Sequence, residues 1–275
     1  MYRVRRRGGR LFLGAVAFCI AAAGAFGAPR ADDSDGAKTD RSQSAIAPNP
    51  PRFEMWAGAQ AFGQAWSLYS GVTTAPFSSI RQDGMRLRMV GGYGAYGYFG
   101  RRAVGAGSTT VEFEGAAAFG DLLLGYQKQL GPVTVKAFAG LAAAEHQLTP
   151  DDPETAIRGS GVGGKVAIET WWSLSERTWT SLDVSWASLH DSYATRARLG
   201  WRLLPALSAG LETGAAGNEE CDIARVGGFL RVEWATGELS ASGGVSSDQL
   251  LEGLEVQGLA KSSVPFATLS WLTRF

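Results

Sequence analysis

From residue 53 onward, apolar and polar side chains alternate with a period of two rather than with helical spacing. In 192–204, Ala197, Leu199, Trp201 and Leu203 fall on one side; Arg196, Arg198, Gly200 and Arg202 fall on the other. In 223–235, Val226, Gly228, Leu230, Val232 and Trp234 oppose Arg225, Gly227, Phe229, Arg231 and Glu233. In 132–145, Val133, Val135, Ala137, Ala139 and Leu141 oppose Thr134, Lys136, Phe138 and Gly140. A helix would scatter these arginines around its circumference, whereas a strand gathers them on one face. The pattern predicts about twelve strands, near 53–63, 66–76, 85–99, 112–129, 132–145, 160–173, 177–189, 192–204, 206–215, 223–235, 238–247 and 263–275. The 112–129 stretch is long enough to hold two short strands instead of one.

The connections sort by length in a way that strand patterning alone does not require. If the first strand starts on one side of a membrane, the turns on that side are 77–84, 130–131, 174–176, 204–205 and 235–237, four of them very short. Those on the other side include 100–111, 146–159, 214–222 and 248–262, which are longer and more polar. Short turns on the periplasmic side and long outer loops mark an antiparallel transmembrane β-barrel. No apolar run of 18 or more residues follows the start of the chain, so no spanning helix is predicted. Closure has a physical cause: an unpaired N–H or C=O in hydrocarbon costs several kcal/mol, and a sheet escapes that cost only by pairing its own edges.

The beginning of the chain reads as an address. Arg3, Arg5, Arg6, Arg7 and Arg10 precede an apolar stretch from Leu11 to Ala25 that ends in small residues, the pattern of a secretory signal peptide over 1–25. Cys19 would leave with it, leaving Cys221 alone. Residues 26–52 are polar and proline-rich and read as a flexible linker, with the barrel over 53–275. Leu269, Trp271, Thr273 and the final Phe275 share one face, as in the strand that addresses bacterial outer-membrane proteins to their assembly machinery. The expected location is the outer membrane of a Gram-negative bacterium, in contact with its lipid.

Composition narrows the function. The 275 residues hold 26 Lys plus Arg and 26 Asp plus Glu, and the neutral balance excludes broad electrostatic binding of nucleic acid. The 37 glycines are roughly twice the usual share and suit bent, closely packed strands. Trp56, Trp66, Tyr93, Trp171, Trp172, Trp179, Trp186, Trp201, Trp234 and Trp271 fall mostly near strand ends, where they would form two interfacial girdles. Two cysteines and two histidines leave little for a metal site, and no cofactor motif is present.

The polar faces would line the lumen. Candidate lumen residues are Arg86, Arg88, Tyr96, Tyr98, Lys136, Glu169, Asp183, Arg196, Arg198, Arg202, Arg225, Arg231 and Glu233. Two readings stand. In one, the charges pair across a narrow, filled interior. In the other, they line a hydrophilic passage in which Tyr96 and Tyr98, beside Arg86 and Arg88, contact a sugar chain. A third class, a lipid hydrolase at the outer rim, would use His190-Asp191-Ser192 or His146. Adjacent residues in a tight turn rarely set a base against a nucleophile with a third group orienting it.

The segments FEMWAGAQAFGQAWSLYSGV, DGMRLRMVGGYGAYGY and LLLGYQKQLGPVTVKAFAGL resemble the BcsS family of cellulose-biosynthesis accessory proteins. The likeness lies in Trp56 to Gly58, Tyr69 to Gly71, Asp83 to Tyr98, Gly125-Tyr126-Gln127 and Gly131-Pro132. The resemblance implies a noncatalytic outer-membrane barrel that assists cellulose biosynthesis or secretion, with cellulose and the synthase complex as partners. The alternative is a generic structural or small-solute barrel.

Overall fold

A computed structural model describes residues 50–104, 107–152, 155–247 and 263–275. The signal peptide with Cys19, the linker up to residue 49 and the 248–262 loop lie outside the described residues. The strands are β1 (Phe53–Phe62), β2 (Ala65–Thr74), β3 (Gly84–Val104), β4 (Gly107–Leu130), β5 (Val133–Thr149) and β6 (Gly159–Ser173). They continue with β7 (Thr178–Ala187), β8 (Ser192–Leu204), β9 (Leu207–Gly217), β10 (Asp222–Trp234), β11 (Gly237–Ser247) and β12 (Ser263–Arg274). A single 3-10 turn, Leu189–Asp191, joins β7 to β8. Each strand pairs antiparallel with its sequence neighbours, and β1 pairs with β12, so the twelve strands close into a barrel. The segment 112–129 lies within one strand, β4.

We call the end where β1 starts and β12 finishes the near end, and the opposite end the far end. Arg52 and Phe53 both donate their N–H groups to the Phe275 carbonyl at 2.9 Å, which fastens the seam there. Short turns lie at the near end. One expected far-end loop is different: residues 100–104 and 107–111 belong to β3 and β4, paired as far as Val104 and Gly107. β2 stops pairing with β3 at Tyr96, and β5 stops pairing with β4 at Glu114, so beyond those points the two long strands satisfy each other as a ribbon.

The alternation sorts the two faces as chemistry requires. Leu68, Met89, Leu122, Leu141, Ile168, Val184, Leu211, Leu230 and Leu269 are exposed on the outside. At the near end, Tyr126, Trp172, Trp201, Trp234 and Trp271 are exposed beside this apolar surface; toward the far end, Trp66, Tyr93 and Trp186 are. An apolar band between aromatic girdles is the exterior of an outer-membrane-type barrel. Three tryptophans expected in the girdles are not there: Trp56, Trp171 and Trp179 are buried inside. Their parity decides this. Trp56 is two residues from Glu54, Trp171 two from Glu169, and Trp179 four from Asp183, so each shares its strand's inner face with a carboxylate.

The inner aromatics explain many of the glycines. Trp56 lies directly opposite Gly71, Tyr69 opposite Gly58, Phe138 opposite Gly125, Trp179 opposite Gly200 and Tyr96 opposite Gly115. A Cβ at any of these glycines would overlap the paired ring. Each ring therefore lies flat across the neighbouring strand instead of standing into the lumen.

Candidate functional site

The barrel interior is layered. Toward the near end, Trp171 and Trp179 stack with centroids 4.1 Å apart, and the Arg231 guanidinium lies 4.8 Å and 5.2 Å from the two rings. Arg231 also pairs with Glu238 and with Glu233, the latter at 3.0 Å. Arg88 lies between the Phe138 ring at 3.8 Å and the Trp56 ring at 5.2 Å. Both its terminal nitrogens bond Glu169, with Nη2 to Oε2 at 3.0 Å. Lys136 lies 4.0 Å from Glu169 and 3.6 Å from Glu54, and Glu54 accepts from Arg274 Nε at 2.9 Å.

A second group completes the middle layer. Arg196 pairs with Asp183 at 3.0 Å, and Arg198 donates to Glu212 at 2.6 Å. Arg225 lies 3.2 Å from Glu212, and Lys165 pairs with Asp121 at 2.5 Å. All these groups are largely hidden from solvent, so the pairing is what makes their burial tolerable. Arg88–Glu169 reaches from β3 to β6 and so spans the interior, whereas Arg196–Asp183 joins adjacent strands.

Other groups pack at the two ends. At the far end, Phe62, Tyr96, Tyr98 and Phe113 from β1, β3 and β4 and Phe266 from the adjoining β12 form one apolar cluster with Ala194, Ala216 and Ile223 from β8, β9 and β10. Tyr98 also donates its hydroxyl to Asp152 at 2.9 Å. At the near end, segment 75–83 folds inward, burying Ala75 and Ile80. The Arg86 guanidinium holds this segment through Ser78 Oγ at 3.2 Å and the carbonyls of Ser79 at 3.3 Å, Ile80 at 3.2 Å and Gln82. Ile80 donates its N–H to the Pro51 carbonyl at 2.8 Å. Asp83 accepts from Lys128 and from the Gln129 N–H at 2.7 Å, and the Lys128 hydrogen bond holds the Asp83 carboxyl below its usual range.

The candidate lumen residues are therefore placed as follows. Arg88, Lys136, Glu169, Asp183, Arg196, Arg198, Arg225, Arg231 and Glu233 belong to the ion-paired layers. Arg86 bonds backbone carbonyls at the near mouth, and Arg202 sits at the near rim, donating to the Glu176 carbonyl at 2.8 Å. Tyr96 and Tyr98 are not beside Arg86 and Arg88. They share a strand face but lie in the far-end apolar cluster, because eight residues of extended chain separate Arg88 from Tyr96, roughly 27 Å at about 3.4 Å per residue. Sequence reading passed over Arg274 and the inner positions of Trp56, Trp171 and Trp179; parity with neighbouring charged residues was the available signal.

The two rim histidines lie together at the far end. The His146 and His190 rings meet edge to face at 5.8 Å, and His190 Nδ1 lies 3.3 Å from Glu219 Oε1. Asp191 accepts from the Trp186 indole at 2.7 Å, which pins the turn, and Ser192 is buried at the start of β8. His190 and Asp191 both adopt positive φ, of 55° and 48°. Among the described residues, no group of three or more His, Cys, Asp or Glu side chains could hold a metal ion.

The fold is shared with solved outer-membrane proteins. A mutant of the monoaromatic hydrocarbon channel TodX is 10% identical, with a TM-score of 0.50 over 83% of this chain and 91% of that one. The KdgM porin is 6% identical, with a TM-score of 0.42 over 81% and 99%. The transport unit of the autotransporter AIDA-I from Escherichia coli is 9% identical, with a TM-score of 0.45 over 86% and 93%. No curated protein matches the chain. The profile described as "Cellulose biosynthesis protein BcsS" matches residues 55–274, from the third residue of β1 through the last of β12, and the chain belongs to that family.

Proposed function

We propose that this barrel resides in the outer membrane of a Gram-negative bacterium, near end toward the periplasm, delivered there by a cleaved signal peptide over 1–25. It assists cellulose biosynthesis or secretion without catalysing a reaction, as an accessory of the synthase complex. Membership of the cellulose biosynthesis family carries the reading. The apolar exterior with its two aromatic girdles supports the location. The strand ending at Phe275 is the segment that the barrel assembly machinery would engage.

Within that role, the packed interior favours an accessory over an open conduit for glucan. A sugar chain passing through would have to part Arg88 from Glu169 and displace both the far-end aromatic cluster and the near-end segment held by Arg86. Breaking one buried pair costs about 3–5 kcal/mol, and a passage would break several at once. Deleting the gene is expected to lower cellulose at the cell surface, restored by the wild-type copy; unchanged dye-binding cellulose would overturn the role. In planar bilayers the purified barrel is expected to be silent. Stepwise conductance blocked by soluble cello-oligomers would favour a glucan passage instead.

A further inference from the structure

Glu212 is shared by two guanidiniums. Arg198 Nε donates to its Oε2 at 2.6 Å, and Arg225 Nη2 lies 3.2 Å from its Oε1. Neither arginine makes a second ion pair among the described residues. Arg198 also feels the Asp183 carboxylate, but Asp183 pairs with Arg196, so the cluster holds three guanidiniums against two carboxylates, a surplus of one positive charge. An uncompensated charge held away from water is costly, and the cost selects for a counter-ion.

The surplus charge adjoins a small, partly open cavity of about 20 Å³, whose lining includes Arg225, Gln60, Phe62, Ser246, Phe266 and Thr268. That is room for one to two water-sized spheres, at about 10–15 Å³ each. Gly214, without a side chain, is part of the lining beside Arg225. Two of the polar lining groups are already engaged: Gln60 donates to Ser67 Oγ at 3.1 Å, and Ser246 Oγ to the Ala224 carbonyl at 3.2 Å. Thr268 differs. Its Oγ1 is buried, lines the cavity and bonds no group among the described residues. A hydroxyl donor and a surplus guanidinium therefore converge on one small space walled by two phenylalanines.

We propose that this cavity binds one small monovalent anion of chloride size, held by the Arg225 guanidinium and the Thr268 hydroxyl. The phenyl rings and the volume exclude sulfate, phosphate and sugar acids. The ion neutralises the Arg198–Glu212–Arg225 cluster and locks the β8–β10 wall against β12.

The test uses the full chain purified in detergent. Crystals grown in bromide are expected to give an anomalous peak in the cavity within hydrogen-bond reach of Arg225 and Thr268. Thermal unfolding in chloride against gluconate, at constant ionic strength, is expected to show a Tm that rises with chloride by mass action. Arg225→Gln, which equalises the charges, is expected to abolish that rise; Thr268→Val is expected to reduce it. Both wild-type readouts stand if a variant fails to fold. A cavity without anomalous signal overturns the proposal, and so does a wild-type Tm equal in the two salts.

Discussion

Trp179 and Gly200 face each other across the β7–β8 pair, and the indole lies so close over the glycine that a methyl group there would overlap the ring. Flat on Gly200, Trp179 can stack on Trp171 and receive Arg231 on its face. Gly200→Ala is expected to push the indole off its stack and destabilise the barrel by about 1–3 kcal/mol, the usual range for overpacking. Urea unfolding followed by tryptophan fluorescence reads the loss. A wild-type midpoint would mean that the ring moves aside freely.

The Arg88–Glu169 pair makes a different kind of prediction, because both groups are buried. Glu169→Ala leaves Arg88 without its carboxylate, and a loss of about 3–5 kcal/mol is expected. Replacing both residues together, Arg88→Met with Glu169→Leu, is expected to recover much of that stability, since well-packed apolar groups often match a buried ion pair. A double variant as unstable as the single one would argue that Lys136 and Glu54 depend on the pair as well.

The near-end segment hangs on one side chain. Arg86→Ala removes the donor to Ser79, Ile80 and Gln82 and frees the segment while the strands stay paired. Trypsin is then expected to cleave after Arg81 much faster than in the wild type, with the barrel still migrating as a folded species on electrophoresis. Equal cleavage rates would show that the backbone bond from Ile80 to Pro51 suffices.

Outside, the expectation depends on depth. Leu230→Arg, within the apolar band, is expected to cost about 2–4 kcal/mol in a lipid bilayer, and Leu204→Arg at the near rim about 0–1 kcal/mol. Equal costs would contradict the assigned membrane level.

The tryptophans separate inside from outside in a single measurement. In single-tryptophan variants reconstituted with brominated lipid, Trp172, Trp234 and Trp271 are expected to be quenched, and Trp179 is expected to keep its emission. Quenching of Trp179 would place it against lipid and reverse the face assignment of β7.

The sequence by itself determined the strands and their two faces, because side-chain alternation is a local property of extended backbone. Arg196, Arg198 and Gly200 had to point one way and Ala197, Leu199 and Trp201 the other, whatever lay beside them. The turn lengths then ordered the strands as neighbours. Only the tertiary structure decided that Arg88 meets Glu169 rather than a nearer carboxylate, that β3 and β4 run on as a ribbon, and that segment 75–83 turns inward onto Arg86. Those outcomes depend on barrel closure, strand stagger and the room left by glycines opposite the inner rings. Each is a relation between distant parts of the chain, and no local period encodes it.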